Sequence, residues 1–335
     1  MVNEQILAQN TEPYLLEVEN ASFFFNQNEK DEVRALNDIS FKLRAGETLG
    51  VVGESGSGKS TLARLIVGLL KPISGRVLFE GVDLTLLPKK ERLKKKRDMQ
   101  MIFQDPHDSL DPRMTVGELI AEPLRIYKKH GLIDISKKEI IERVKELMRK
   151  VGLQDIYINR FAHEFSGGQC QRIGIARALA LEPKLILADE PVSALDVSIQ
   201  AQILNLLKEL QSELGLTYLF ISHDLAVIRH ISNRIMVMYL GKIVELAQAD
   251  ELYGNPLHPY TEALLSAAPI PDPEIERNRR RILLEGDLNS AITKRNVCFF
   301  YDRCPKRNEQ CLKAIPPLRE VREGHYVACV LYDKG

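Results

Sequence analysis

The chain has 335 residues, 44% of them hydrophobic and 27% charged, which excludes a disordered, collagen-like or disulfide-dominated protein. At roughly 150 residues per domain it has room for about two domains and a sizeable core. Its 46 Lys and Arg balance 46 Asp and Glu, so a net charge of zero gives no global attraction to nucleic acid, and any anion site must be local.

The longest apolar runs, such as residues 235–240, fall far short of the roughly 18 residues a membrane-spanning helix needs. The start, MVNEQILAQN, shows no basic segment ahead of an apolar one. Neither a span nor a secretory signal is expected, and the chain reads as cytosolic.

In chain order, LLEVE (15–19), ISFKL (39–43) and TLGVV (48–52) alternate as strands do, and glycine-rich punctuation follows at once. The spacing Leu62, Leu65, Ile66, Leu69 predicts a helix, after which Gly75 and Gly81 bracket a short strand, RVLFE. The basic run KKERLKKKR (89–97) is either a solvated helix face or a contact for lipid phosphates, and zero net charge favours the first. A long helix is predicted from Ser136, with Glu139 in capping-box spacing, through Ile140, Ile141, Val144, Leu147, Met148 and Val151 to a stop at Gly152. Strand KLILAD (184–189), a helix carrying Ile199, Ile203, Leu206, Leu207, Leu210 and Leu214, and strand LTYLFIS (216–222) then alternate. That order predicts a parallel sheet with crossover helices. Around Asn255 the text changes to NPLHPY, APIPDP and ERNRRR, and a domain boundary is placed there; no repeat of fixed period is visible.

Residues 53–60 read GESGSGKS, a full G-x-x-x-x-G-K-[ST] phosphate loop lying where its mechanism needs it, between strand TLGVV and a helix starting near Thr61. Glycines let backbone N–H groups approach phosphate oxygens, the helix N-terminus adds partial positive charge, Lys59 neutralises the β- and γ-phosphates, and Ser60 is left to ligate Mg²⁺. A merely flexible glycine turn would not need Lys and Ser at those offsets. The strand LILADE supplies the carboxylates such a site requires: Asp189 for the Mg²⁺ shell, Glu190 to polarise an attacking water.

FSGGQ (165–169) precedes a helix-like segment and lies before Asp189 in the chain. With the phosphate loop, Gln104 in IFQD, the signature SGGQ, the LADEP strand, SALD ending at Asp196 and His223 in ISHD in that order, residues 15 to 254 resemble the ATP-binding cassette ATPases. The resemblance implies an α/β fold: a RecA-like parallel-sheet core in residues 14–254 with an antiparallel β subdomain, a helical subdomain at 105–181, and a small cysteine-containing extension at 255–335. It implies ATP held in cis by Ser55, Gly56, Ser57, Gly58, Lys59, Ser60 and Thr61, with Gln104 sensing Mg²⁺ and water and His223 contacting the γ-phosphate. Ser166, Gly167, Gly168 and Gln169 would bind the ATP of an opposite subunit, and Asp196 would cross the dimer interface, so two cassettes meet head to tail. Phe25 is the candidate to stack on adenine, with core packing of the Phe23–Phe25 pair as the other reading. Similar members usually carry Arg after the signature Gln; here Cys170 stands there, which either weakens a helix-end charge or is a small buried residue.

More narrowly, NPLHPYTEALLSAAPIPDP (255–273) looks like the C-terminal extension of oligopeptide and dipeptide importer ATPases, and DSLDPRMTVGELIAEPL (108–124) like the second of their two paralogous ATPase subunits. The implied function is ATP-driven peptide uptake at the cytoplasmic face of the membrane. The implied partners are a second ATPase subunit, two membrane-spanning permease subunits and an extracytoplasmic peptide-binding protein, with nickel or oligosaccharide as alternative cargo. The helical block would turn on ATP binding and push on the membrane partner. A soluble cassette acting on nucleic acid or ribosomes would be expected to show tandem cassettes, a heptad insertion or a basic stripe, none of which the sequence has.

Cys298, Cys304, Cys311 and Cys329 fall at C-x5-C-x6-C-x17-C in a tail without a strong apolar periodicity, so something else must order it. Disulfides are disfavoured in the cytosol, zinc sites usually show tighter C-x2-C spacing, and four loosely spaced thiolates can hold an iron–sulfur cube. Similar importer ATPases carry such a set around a [4Fe–4S] cluster. The cluster is expected, with zinc or with free or disulfide-bonded cysteines as the alternatives, and its role as structural rather than redox.

Overall fold

The computed structural model describes residues 14–26, 33–106, 108–267, 282–284 and 297–333. The APIPDP and ERNRRR segments that follow the expected boundary lie outside them. Among the described residues the strands are β1 (Leu16–Phe25), β2 (Val33–Leu43), β3 (Thr48–Val52), β4 (Ser74–Phe79), β5 (Val82–Asp83), β6 (Met99–Ile102), β7 (Leu185–Asp189), β8 (Thr217–Ile221), β9 (Arg234–Tyr239), β10 (Lys242–Gln248), β11 (Arg319–Arg322) and β12 (His325–Val327). They form two sheets: an antiparallel one ordered β2-β1-β4-β5 and a larger one ordered β11-β12-β10-β9-β3-β8-β7-β6.

In the larger sheet β6, β7, β8, β3 and β9 run parallel. Every residue of β3, β7 and β8 is buried, the pattern of strands covered by helices on both faces, and this explains why their sequences read as unbroken apolar runs. β1 continues well past LLEVE to Phe25 through irregularities in its pairing with β2, beginning between Val18 and Ala21.

The helix after the phosphate loop, α1 (Lys59–Ile66), buries Leu62, Leu65 and Ile66 as their spacing predicts. Leu69 is a correction: it lies past the end of α1 and is 60% exposed, because the chain turns at Gly68 and the Leu69 N–H closes on the Arg64 carbonyl. The basic run forms α2 (Lys89–Lys96), which has no buried residue. Lys95 pairs with Glu80, which also takes Lys184, and Lys96 donates to the Gly68 carbonyl at 3.1 Å. Much of this positive charge is therefore used on the chain's own surface.

The helical block comprises α3 (Val116–Lys129), α4 (Lys137–Lys150) and α5 (Gly167–Leu179), each begun by a reciprocal capping box, from Thr115 and Glu118, Ser136 and Glu139, and Ser166 and Gln169. α4 ends where the sequence indicates, with Gly152 at a φ of 75° that favours glycine. Ile140 is buried, but Ile141 is turned outward and half-exposed, the second correction to the apolar stripe. Leu119, Ile120, Val144, Leu147, Met148 and Ile173 join one core that reaches the sheet.

After α6 (Val197–Leu214) and α7 (Leu225–Ile231), β9 and β10 form a hairpin and lead to α8 (Ala249–Gly254) and α9 (Pro259–Ala267). The larger sheet continues across the expected boundary at 255, because β12 pairs with β10 in the register Glu245↔Val327 and Leu246↔Tyr326. The fully buried Glu245 carboxylate accepts the N–H groups of Leu257 and His258 at 2.7 and 2.9 Å and meets His325 Nε2 at 2.7 Å. Phe300 adds its ring to Tyr239, Tyr260 and His258, with centroids 5.3 to 5.5 Å apart. The described tail is thus tied to the rest of the chain by the edge of the larger sheet and by this aromatic cluster.

Candidate active site

The phosphate loop leaves the buried end of β3 and enters α1 through Gly58, whose φ of 101° and whose missing Cβ, which would stand 2.3 Å from the Ala35 carbonyl oxygen, allow no other residue. Gly58 is the N-cap of α1 and carries no side chain to occupy the first N–H groups, and α1 has no acidic residue in its first turn. Lys59 folds back over the loop, donating to the Gly53 and Glu54 carbonyls at 2.7 and 3.0 Å. Burial lowers its pKa, opposed by the charges of Glu190, Asp189 and Glu54.

Across the cleft, Ser60 Oγ donates to Asp189 Oδ1 at 2.9 Å, which joins the helix start to the end of β7. Burial raises the Asp189 carboxyl above its usual range, while the Ser60 hydrogen bond pulls the other way. One residue on, Glu190 has a φ of 48° and gathers two partners on one oxygen: Gln104 Nε2 donates to Oε2 at 3.2 Å and His223 Nδ1 lies 3.0 Å from it. Gln104 follows β6, Glu190 follows β7 and His223 follows β8, so adjacent parallel strands deliver all three at their carboxyl ends, where open α/β sheets bind ligands.

Phe25, Ser55, Gly56, Gly58, Lys59, Ser60, Thr61, Gln104, Glu190 and His223 line one cleft of about 700 Å³, together with Val33, Arg34, Ala35 and Leu240. Phe25 is 41% exposed and meets Phe23 edge-on at 4.9 Å, which disfavours the core-packing reading. Among the residues 55–61 expected to hold ATP, Ser57 alone is off that cleft: it is buried, with its carbonyl accepting from the Gly241 N–H. A larger cleft of about 1000 Å³ lies between β2, β10 and the tail; Cys298 is the one predicted site residue on it. The chemistry of the smaller cleft, not its size, marks the site.

The signature residues line no part of that cleft. Ser166 Oγ accepts the Gln169 N–H while Gln169 Oε1 accepts the Ser166 N–H, fixing the start of α5. Gly168 is required by packing, since a Cβ there would stand 2.5 Å from Ile199 Cγ2 on α6. Asp196 caps α6 through Ile199 N–H, and hydrogen bonds, led by that from Ser198, hold its carboxyl below the usual range. Cys170 is completely buried with Sγ 3.4 Å from the Ala162 carbonyl, the small core residue of the two readings.

None of the five cysteines takes part in a disulfide. Burial, aided by the neighbouring thiols, pushes Cys298 up to about 12 and Cys329 up to about 11, and burial also raises Cys304. The tail cysteines thus feel one another electrostatically, yet among the described residues no group of three or more His, Cys, Asp or Glu is arranged to hold a metal ion. Sequence reasoning missed Tyr260 and Arg303, which reach the loop from the extension. Tyr260 Oη accepts the Glu54 N–H at 2.9 Å and Arg303 grips the Glu54 carboxylate, and no local pattern signals either contact.

A phosphate loop, a neighbouring acidic strand end and a capped glycine helix held apart from both are the working parts of an ATP-binding cassette. Residues 36–193 match the ABC transporter family, and residues 244–311 match the oligopeptide/dipeptide transporter C-terminal region. The chain is 54% identical over 329 residues to the oligopeptide transport ATP-binding protein OppF of Haemophilus influenzae, covering 96% of this chain and 98% of that one. It is 57% identical over 301 residues to OppF of Escherichia coli, covering 90% and 89%. Among solved structures, the dimeric, ADP- and Pi-bound, post-hydrolysis cassette MJ0796 superposes with a TM-score of 0.63 at 33% identity, covering 70% of this chain and 98% of that one. The chain belongs to the ABC transporter family and is an ATP-hydrolysing transporter subunit of the α/β cassette fold.

Proposed function

We propose that this subunit energises uptake of di- and oligopeptides through a membrane importer, with hydrolysis driven from Glu190. The observation that carries the chemistry is the convergence of Gln104 and His223 on Glu190 Oε2 beside the Ser60–Asp189 pair. The loop N–H groups and Lys59 hold the ATP phosphates, and Phe25 stacks on the adenine. Oxygen donors from Ser60, Asp189 and Gln104 suit Mg²⁺, which when bound neutralises charge on the β- and γ-phosphates. Glu190 takes the proton of the attacking water, while Gln104 and His223 fix its carboxylate.

The position of Ser166–Gln169 outside the chain's own cleft supports a head-to-tail arrangement in which α5 and Asp196 serve the ATP of a paralogous second ATPase subunit. Two permease subunits and an extracytoplasmic peptide-binding protein complete the assembly. No helix of the described residues is long and apolar enough to cross a membrane, in keeping with a peripheral place on the cytoplasmic face. Reconstitution with the second ATPase and the permeases in proteoliposomes tests this reading: ATP-dependent accumulation of a labelled oligopeptide is expected. Uptake of nickel or oligosaccharide instead would reassign the cargo, and co-purification with nucleic acid rather than permeases would replace the reading.

For the tail we propose Cys298, Cys304, Cys311 and Cys329 as ligands of a [4Fe–4S] cluster with a structural role. The donor set fits in kind, four free thiols near one another, but not in geometry among the described residues, so no step of the mechanism runs through it. Anaerobically purified protein is expected to be brown and to contain iron and sulfide. Stoichiometric zinc, or four titratable thiols without metal, would remove the assignment.

A further inference from the structure

We propose that Arg303, together with Tyr260, is a positioning residue of the phosphate loop, through which the C-terminal extension sets the loop's affinity for nucleotide. The proposal rests on the ATP-binding reading of the cleft. It starts from an electrostatic oddity: Glu54, the second residue of GESGSGKS, puts a carboxylate into a loop that must hold a polyanion. An unpaired charge there would repel the phosphates and leave the loop's first turn without a fixed side chain.

The extension answers both problems. Arg303 Nη1 and Nη2 reach the two Glu54 carboxylate oxygens at 2.8 and 3.2 Å, a bidentate pair that fixes orientation as well as charge. Its side chain is 10% exposed, and Tyr239 Oη sits 3.5 Å from the same guanidinium nitrogen. The Glu54 N–H goes to Tyr260 Oη, and its carbonyl accepts from Lys59 Nζ at 3.0 Å and the Ser57 N–H at 3.1 Å. Every polar group of Glu54 is engaged, the side chain and N–H from the extension and the carbonyl from Lys59 and the Ser57 N–H. Movement of Arg303 is therefore passed to Lys59 across one residue. The rings of Tyr239, Tyr260 and Phe300, 4.7 to 5.5 Å apart, wedge this contact in place.

The test uses the full-length chain, with Mg–ATP affinity measured by titration and kcat and KM measured in the assembled transporter. Arg303→Met is expected to raise Kd and KM about tenfold with kcat changed less than about twofold, Arg303→Lys to recover part of the loss, and Glu54→Gln in the Arg303→Met background to restore affinity by removing the stranded charge. Unchanged affinity in Arg303→Met, or equal losses in kcat and melting temperature with no rescue by Glu54→Gln, would overturn the proposal. If Arg303→Met does not fold, Tyr260→Phe removes only the hydroxyl acceptor and carries the same test. A wild-type chain that binds no Mg–ATP, and is indistinguishable from Lys59→Ala, would instead refute the ATP site itself.

Discussion

His223 Nδ1 stands 3.0 Å from Glu190 Oε2, an exposed imidazole set against a carboxylate that is 14% exposed. Gln104 donates to the same oxygen, so both of these contacts fall on Oε2, and the proposed role of Glu190 as general base leaves Oε1 for the proton. Glu190→Gln keeps the shape and loses the base. Phosphate release is expected to fall by about 10²- to 10⁴-fold while ATP binding survives, measured in a dimer whose other site has been silenced. Unchanged turnover there would take Glu190 out of the role.

The separation of the α5 signature from the cleft has its own test. Ser166→Arg is expected to damage hydrolysis at the site whose phosphate loop belongs to the second subunit and to leave ATP binding by this monomer intact. Loss of nucleotide binding by the isolated mutant chain would contradict service in trans.

Phe25 is 41% exposed and contacts Phe23 only edge-on, so folding should barely notice its removal. Phe25→Ala is expected to weaken ATP binding by about two- to tenfold, the value of a lost aromatic stack, with stability changed by less than about 1 kcal/mol. A large fall in melting temperature with unaltered affinity would return Phe25 to the core.

His258 gives a pH dependence. Burial, only partly offset by the Glu245 charge, lowers it from 6.5 to about 4 in the folded chain. The unfolded chain therefore takes up the proton first. The stability contributed by the neutral ring is complete above pH 6.5 and is lost as pH falls toward about 4, about 3 kcal/mol in all. His258→Asn keeps an acceptor for the Tyr260 N–H but cannot titrate, so its melting temperature should fall less steeply across that window. Parallel curves for the two proteins would assign the acid sensitivity elsewhere.

How much of this was legible in the sequence depended on whether the cause was local. The phosphate loop, the LILAD strand and the Ser136–Glu139 cap announce themselves because each is fixed by residues within a few positions. Leu69 and Ile141 misled for the opposite reason: an apolar spacing continues past the point where Gly68 turns the chain, or past the width of the buried face. α3 is expected only as part of the helical block at 105–181; the Thr115–Glu118 cap that starts it lies ahead of a helix that carries Pro123 inside it. Glu190 was legible from the LILADE strand and Gln104 and His223 from the family resemblance, but their meeting on one oxygen, like that of Arg303 on Glu54, 249 residues apart, is visible only in the folded chain.

The tail's last strands also decide how the molecule meets other molecules. β11 is four residues long, reads REVR, and is mostly exposed, a short charged rim laid outside β12. Inside both lies β10, KIVELAQ, whose Ile243 to Ala247 are all buried and which includes the β-branched pair Ile243 and Val244. A chain cut after residue 255 would bare the β10 backbone edge that β12 covers at Val244, Glu245 and Leu246 and is expected to precipitate or pair edge to edge, even with every residue of the ATP cleft still present.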